Sequence, residues 1–134
     1  MVVNRDPSKL SVLSLQGMFD EGNASGVAQM MIDSGKIFPA FLETLIHAKW
    51  PVRLGAMVAF EAIVEKNKSL AARVIPPLWE HFKSTDDQVQ GDIVYLLGES
   101  GDASVIPKLK SVLNGPHDPE VKEASLEALE KFEQ

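Results

Sequence analysis

The chain has 134 residues, 45% of them apolar, a length and composition typical of one globular domain with a substantial core. The net charge is −6 and Lys and Arg are scattered, so we expect no nucleic acid as a partner. No apolar run approaches the ~18 residues of a membrane span, so we expect no membrane as a partner and predict a cytoplasmic protein. Cysteine is absent, which excludes disulfides, thiolate metal sites and cysteine nucleophiles.

The first predicted helical hairpin spans residues 1–35. Asp6 is expected to cap its first helix, and Gly22 is expected to end that helix in a left-handed conformation. Asn23 then caps a short second helix that ends at Gly35. Because this hairpin is shorter than those that follow, we interpret it as an irregular capping unit.

The second hairpin is predicted over residues 36–69. Apolar residues at three-and-four spacing mark its first helix between Ile37 and Ile46. The second helix begins at Pro51 and runs to about Lys66.

The third hairpin is predicted over residues 70–101. Its first helix carries apolar residues as far as Phe82, and we expect its early proline to bend it only slightly. Asp86 or Asp87 caps the second helix, which stops at Gly101.

The fourth hairpin is predicted over residues 102–134. Asp102 is expected to cap its first helix, and Gly115 stops that helix. The second helix restarts with Asp118 as cap and Pro119 at the first helical position.

Two landmarks recur along these hairpins, a proline early in the first helix and a valine at the start of the second. The intervals are 37 and then 31 residues for the prolines, and 37 and then 32 for the valines, which are Pro39, Pro76, Pro107, Val52, Val89 and Val121. Two independent landmarks that move together indicate an internal repeat, and a period of 30–40 residues is typical of stacked helical hairpins. The sequence therefore predicts a single all-α domain over residues 1–134, made of about four antiparallel helical hairpins.

The segments 106–109 and 117–124, followed by Ala128 and Leu129, resemble a HEAT repeat. The segment Leu97–Asp102 is similar to the junction between repeats of the short bacterial variety, also called PBS-lyase-like HEAT repeats. The resemblance covers residues 36–132 and is closest in the fourth hairpin. It implies a right-handed α–α superhelix, or solenoid, that serves as a non-catalytic interaction scaffold, free or as a module of a larger bacterial protein.

The resemblance also implies contacts between repeats. An acidic residue of the turn can bridge to a basic residue that follows the valine of a neighbouring repeat. The corresponding pairs are Asp87 with Arg53 and Asp118 with Gln90, and Gln90 departs from the expected charge pattern.

A further set of residues points away from the predicted core. Counted from its valine, each second helix turns positions two, five, six and nine away from the buried arc, and the resemblance places these positions on the concave face. We interpret them as a groove with an apolar floor and an acidic end, suited to an amphipathic helix or a peptide with a basic end. The set is Leu54, Met57, Val58, Glu61, Val94, Tyr95, Glu123, Leu126, Glu127 and Glu130.

Some members of this set have a second interpretation. Packing against neighbouring helices is the favoured interpretation for Met57 and Val94, whereas Tyr95 suits a surface anchor. Trp79 is expected in the core, and Trp50 either closes over its turn or stands exposed at the rim.

No catalytic constellation is found in the sequence, and we predict no catalytic residue, cofactor or metal. His47, His81 and His117 do not share a repeat position. Asp92 is the single carboxylate on the buried arc, where it is either a tolerated edge residue, one partner of an ion pair or a functional group.

The favoured hypothesis is a scaffold that binds a peptide, helix or protein. The alternative, which follows from the resemblance, is an accessory factor that assists the covalent attachment of a bilin. A third hypothesis is a homodimer formed through Leu54, Met57 and Tyr95.

Overall fold

The computed structural model describes residues 9–133, and every regular element within them is helical. In chain order the α-helices of this range are α1 (Val12–Asp20), α2 (Ala24–Ser34), α3 (Pro39–Leu45), α4 (Trp50–Lys66), α5 (Lys68–Ala72), α6 (Ile75–Glu80), α7 (Asp87–Glu99), α8 (Ile106–Leu113) and α9 (Pro119–Glu130). Two 3-10 turns, Phe82–Ser84 and Ala103–Val105, lie before α7 and α8. The all-α prediction is confirmed.

The helices form two compact units that divide after Val74. The first unit contains α1 to α5, and the second contains α6 to α9. The single repeat domain predicted over 1–134 stays a prediction, and each unit is described by itself below.

Helix α4 organises the first unit, because α1, α2, α3 and α5 all pack against it. The apolar arc predicted for this helix is buried and includes Phe60 and Ile63. Buried side chains of the surrounding first unit include Leu15, Val27, Met31, Phe38 and Phe41. Gly55 lies where α1 approaches, since a Cβ there would come within 2.6 Å of the Phe19 side chain. A glycine is therefore required for this close approach of two helices.

Helix α9 has the corresponding role in the second unit, packing against both α7 and α8. The core between these helices is aliphatic and contains Val89, Ile93, Leu96, Leu97, Leu109, Val112 and Val121. Ser125 is fully buried, and its hydroxyl donates a hydrogen bond of 2.6 Å to the Leu109 carbonyl. This bond links α9 to α8 across an otherwise apolar interface.

Several helix ends form as the sequence predicts. Asp86 accepts a hydrogen bond from the Val89 backbone N–H at 2.9 Å and so caps α7. Asp118 accepts from the Glu120 N–H at the start of α9. Gly22 and Gly35 follow α1 and α2 with φ of 75° and 68°, the left-handed region that glycine adopts without a steric penalty.

The first hairpin differs from its prediction at both helix starts. Asp6 lies outside the described residues, and α1 begins later, at Val12, where the Ser11 hydroxyl accepts from the Ser14 N–H at 3.1 Å. Asn23 does precede α2, but its side chain makes no capping hydrogen bond.

The first helix of the third hairpin is broken rather than slightly bent, so this expectation was wrong. It divides into α5, capped by Asn67, then α6, and then a 3-10 turn at Phe82–Ser84. Pro76 and Pro77 explain the break, because proline has no N–H to donate and its ring clashes with the preceding turn of a helix. The chain can become helical again only with both prolines in the first turn of α6.

Candidate functional site

An exposed apolar stripe runs along α4 in the first unit. Trp50, Leu54 and Val58 lie four residues apart and expose 48%, 45% and 48% of their surface. Residues at this spacing lie on one face of a helix, opposite to the arc that Val52 and Phe60 bury in the core. Three large apolar side chains in a row on an exposed face form a surface that another protein can cover.

Trp50 is held in place by Arg53, one turn further along α4. The Arg53 guanidinium carbon lies 5.4 Å from the centre of the indole ring. Arg53 itself is almost fully buried, and one of its nitrogens donates to the carbonyls of His47 and Ala48 at 2.7 and 3.3 Å. The indole is exposed, as one of the two interpretations predicted, and its location at a rim stays a prediction. Its place in the stripe was missed, although its separation of four residues from Leu54 was a usable signal.

Met57 and Val94, which the sequence placed in the floor of the groove, are only 7% and 0% exposed. Their inclusion in an accessible floor is corrected here, and the packing interpretation fits both. The physical reason is that position five of a second helix lies at the edge of the buried arc, where neighbouring helices cover Met57 and Val94 but leave Leu126 exposed. Glu61, from the same set, is half-buried.

In the second unit, Tyr95 is 38% exposed, and one face of its ring is covered. The ammonium of Lys131 lies 4.8 Å from the ring centre and also forms an ion pair with Glu99. Such a cation over an aromatic ring restricts both side chains. Tyr95 is therefore an anchored surface residue.

The outer face of α9 is acidic around one apolar residue. Leu126 is exposed and lies between the exposed carboxylates of Glu123, Glu127 and Glu130. The predicted set is thus divided, with Leu54, Met57, Val58 and Glu61 in the first unit and the other six residues in the second.

The residue that follows the valine makes the same type of contact in two hairpins. Gln90 donates from its amide to the Phe82 carbonyl at 2.8 Å, just as Arg53 donates to the carbonyls after α3. Asp118 accepts from the N–H of Glu120, so Gln90 and Asp118 each bond within their own hairpin rather than to each other. The pairing of Asp87 with Arg53 stays a prediction.

A pocket with aromatic walls lies in the second unit and was not expected from the sequence. It has a volume of about 560 Å³ and is lined by Trp79, Phe82, Lys83, Gln90, Ser111, Gly115, Pro116 and His117. The Trp79 and Phe82 rings stack at 4.9 Å between centroids, and the His117 ring meets Phe82 edge-on at 5.2 Å. Trp79 is half-buried rather than part of the core. Sequence spacing could not reveal the pocket, because the fold of the second unit brings α6 beside the loop after α8.

The remaining candidate groups do not come together. His47 accepts a hydrogen bond from the Lys49 N–H, His81 precedes a 3-10 turn, and His117 lies at the pocket. Within residues 9–133, no three side chains of the types that bind metals are grouped. Asp92 is half-buried in α7. No helix in this part of the chain has the length and apolar character needed to cross a membrane.

Helical hairpins that recur along the chain, with the second helices burying equivalent valines, are typical of a helical repeat protein. The chain belongs to the HEAT repeat family, since the family model described as HEAT repeats matches residues 38–130. The predicted family and the all-α solenoid class are confirmed, while the right-handed sense stays a prediction. HEAT repeats generally mediate protein–protein interaction and are typically non-catalytic. Neither the curated proteins nor the solved structures contain a match to this chain.

Proposed function

We propose that this chain is a non-catalytic scaffold that binds an amphipathic helix or peptide of a partner protein on the outer face of α4. The observation that supports this function is the exposed row of Trp50, Leu54 and Val58. Tryptophan is one of the residues enriched among those that provide most of the binding energy in protein interfaces. The row is about 12 Å long at 1.5 Å per residue, which is about two turns of a bound helix.

The charge around the row favours a partner with a basic end. Glu61 and Glu65 follow Val58 along α4 at helical spacing, so the apolar row ends in carboxylates. The chain as a whole has a net charge of −6. Opposite charge at the rim mainly accelerates association and selects orientation, whereas the buried apolar contacts provide most of the affinity. In the second unit, Leu126 and its acidic neighbours show the same combination of an exposed apolar residue with carboxylates.

Photo-crosslinking in the source cells tests this function. A photoreactive phenylalanine analogue is placed at position 54, and a matched chain carries it at position 43, where Glu43 is an exposed residue of α3 and not of α4. A partner that is crosslinked from position 54 and not from position 43 is then purified. Its affinity should fall by about tenfold or more with Leu54→Lys, which corresponds to loss of an important interface contact.

Two results would overturn the proposal. One is equal crosslinking from both positions, and the other is an unchanged affinity in Leu54→Lys and Trp50→Ser. A crosslinked product made only of two copies of the chain would favour the homodimer instead.

An accessory role in bilin attachment rests on the resemblance alone. Mixing the chain with a free bilin and recording the visible absorption spectrum tests it, and an unchanged spectrum would leave the scaffold function. Location in the cytoplasm, and membership of a larger bacterial protein, stay predictions.

A further inference from the structure

The pocket of the second unit has features of a small-molecule site. Its volume of about 560 Å³ lies within the 300–1,000 Å³ usual for such sites, and its walls are aromatic with a few polar groups. These walls come from α6, the following 3-10 turn, α7, α8 and the loop after α8. All of them belong to one compact unit, so the pocket is formed within that unit.

The aromatic wall of the pocket is held in place by contacts between side chains of the protein itself. Phe82 is buried and stacks on Trp79 with only 19° between the ring planes. His117 is held edge-on against Phe82, and a Cβ at Gly115 would lie 2.9 Å from the His117 ring. Gly115 therefore makes room for the imidazole. Trp79 is half-buried and lines the pocket, so part of its ring can contact a ligand there.

The charge of the residues that line the pocket indicates which charge the ligand should carry. Lys83 is the one formally charged residue among the residues that line it, and no carboxylate is among them. Asp118, the next residue after His117, is engaged with the N–H of Glu120 at the start of α9. An ammonium beside a stacked aromatic wall suits an anion attached to an aromatic ring.

We propose that this pocket binds a small aromatic carboxylate, with the ring on Trp79 and the carboxylate toward Lys83. This site is separate from the α4 surface, so its failure and the failure of the scaffold function are distinguishable. The ring supplies the apolar contact area, and Lys83 distinguishes the acid from its uncharged analogues.

Tryptophan fluorescence provides the test. The chain has two tryptophans, so Trp50→Phe leaves Trp79 as the single reporter in the pocket. The probes are 3-phenylpropionate, its uncharged amide, and hexanoate as an acid without a ring. We expect a saturable change of Trp79 emission with 3-phenylpropionate in the millimolar range or below, and affinities weaker by about threefold or more for the other two probes.

Two pairs of variants in the same background assign the roles. Lys83→Gln should remove the preference for the acid over the amide, whereas Lys110→Gln, which changes an exposed lysine that does not line the pocket, should keep it. Ser111→Glu places a carboxylate at the pocket and should lower the affinity for the acid, whereas the uncharged Ser111→Gln should lower the affinities for acid and amide equally. Circular dichroism verifies that each variant is folded.

Three results would overturn the proposal. They are the absence of a saturable change in Trp79 emission, equal affinity for acid and amide in the parent chain, and the same effect from Lys110→Gln as from Lys83→Gln. A peptide with a C-terminal phenylalanine that binds at least about tenfold more tightly than 3-phenylpropionate would also overturn it, in favour of a site for a protein terminus.

Discussion

Gln90 reaches back eight residues and donates its side-chain amide to the backbone carbonyl of Phe82 at 2.8 Å. Arg53, at the same place after its own valine, reaches the carbonyl of His47, six residues earlier. Both carbonyls lie where the chain leaves the first helix of a hairpin and have no intrahelical donor. The residue after the valine therefore supplies a side-chain donor to the end of the first helix, whether it is charged or neutral. The Phe82 carbonyl also accepts from the Thr85 hydroxyl at 3.0 Å.

Replacing Gln90 with methionine should test this role, because methionine keeps the length of the side chain and removes the donor. The Phe82 carbonyl keeps the Thr85 hydroxyl as a donor at 3.0 Å, so the substitution removes one hydrogen bond without leaving the carbonyl unpaired. We therefore expect Gln90→Met to lower the free energy of unfolding by about 1 kcal/mol. Urea unfolding followed by circular dichroism measures the change. Gln88→Met, two residues earlier and exposed, is the control and should stay within about 0.5 kcal/mol of the parent. Equal values for the two variants would contradict the role.

The two glycines of α7 should respond in opposite directions to alanine. A Cβ at Gly98 would lie 2.7 Å from the Cβ of Ala128, because α9 packs directly on α7 there. Overpacking of this kind costs about 1–3 kcal/mol, so Gly98→Ala should be destabilising. At Gly91 a Cβ would meet nothing within 4 Å, and Gly91→Ala should stabilise by about 0.5–1 kcal/mol through higher helix propensity.

The same unfolding experiment compares the two glycine variants. A stable Gly98→Ala variant would show that α7 and α9 can separate without cost. Gly98 would then not be needed for the close approach of α7 and α9.

The repeat pattern predicted the second helices well, and it predicted the first helices less well. Valines at equivalent positions located α4, α7 and α9, because a buried arc at helical spacing depends on local sequence alone. The break between α5 and α6 was missed because one proline was expected only to bend its helix, whereas Pro76 and Pro77 together restart it. Two adjacent residues without a backbone donor have a stronger effect than either has alone.

The candidate surface was predicted in part, for a related reason. Helical geometry correctly assigned Leu54 and Val58 to the exposed face of α4. Whether a residue at the edge of the buried arc is exposed depends on how closely adjacent helices pack, and this packing buries Met57. The aromatic pocket needed the tertiary fold, since Trp79 and His117 are far apart in sequence and both contact Phe82. Only the positions of helices relative to each other within the unit bring these residues together.

Asp102 should make the stability of the second unit depend on pH. Hydrogen bonds from the Ser104 side chain, and then from the Ser104 backbone N–H at 2.9 Å, lower the pKa of Asp102 below its ordinary value of 3.8, with a further contribution from Lys108. A carboxyl whose pKa is lower when folded stabilises the protein above its unfolded pKa, and this contribution is lost as the pH falls through the folded value.

Asp102→Ala should therefore cost about 1 kcal/mol or less at pH 7, the usual range for a helix cap that solvent partly screens. This deficit, the difference in unfolding free energy between the variant and the parent chain, should shrink as the pH falls below about 4. Unfolding free energies at several pH values measure the deficit, and an NMR titration of Ser104→Ala should show the Asp102 pKa closer to 3.8. A deficit that is constant down to pH 2 would contradict the assignment.

Lysine substitutions along α4 should separate its surface from its core. Leu54→Lys and Val58→Lys place an ammonium where nearly half of each native side chain is in solvent, so each should change the free energy of unfolding by at most about 0.5 kcal/mol. Met57→Lys buries a charge beside the apolar side chains of α4 at a position that is 7% exposed, and it should destabilise by at least about 3 kcal/mol or prevent folding. Thermal unfolding of the three variants gives the order directly. A Met57→Lys chain as stable as Leu54→Lys would mean that Met57 is accessible after all, and the binding surface would then extend to the position that the sequence first gave it.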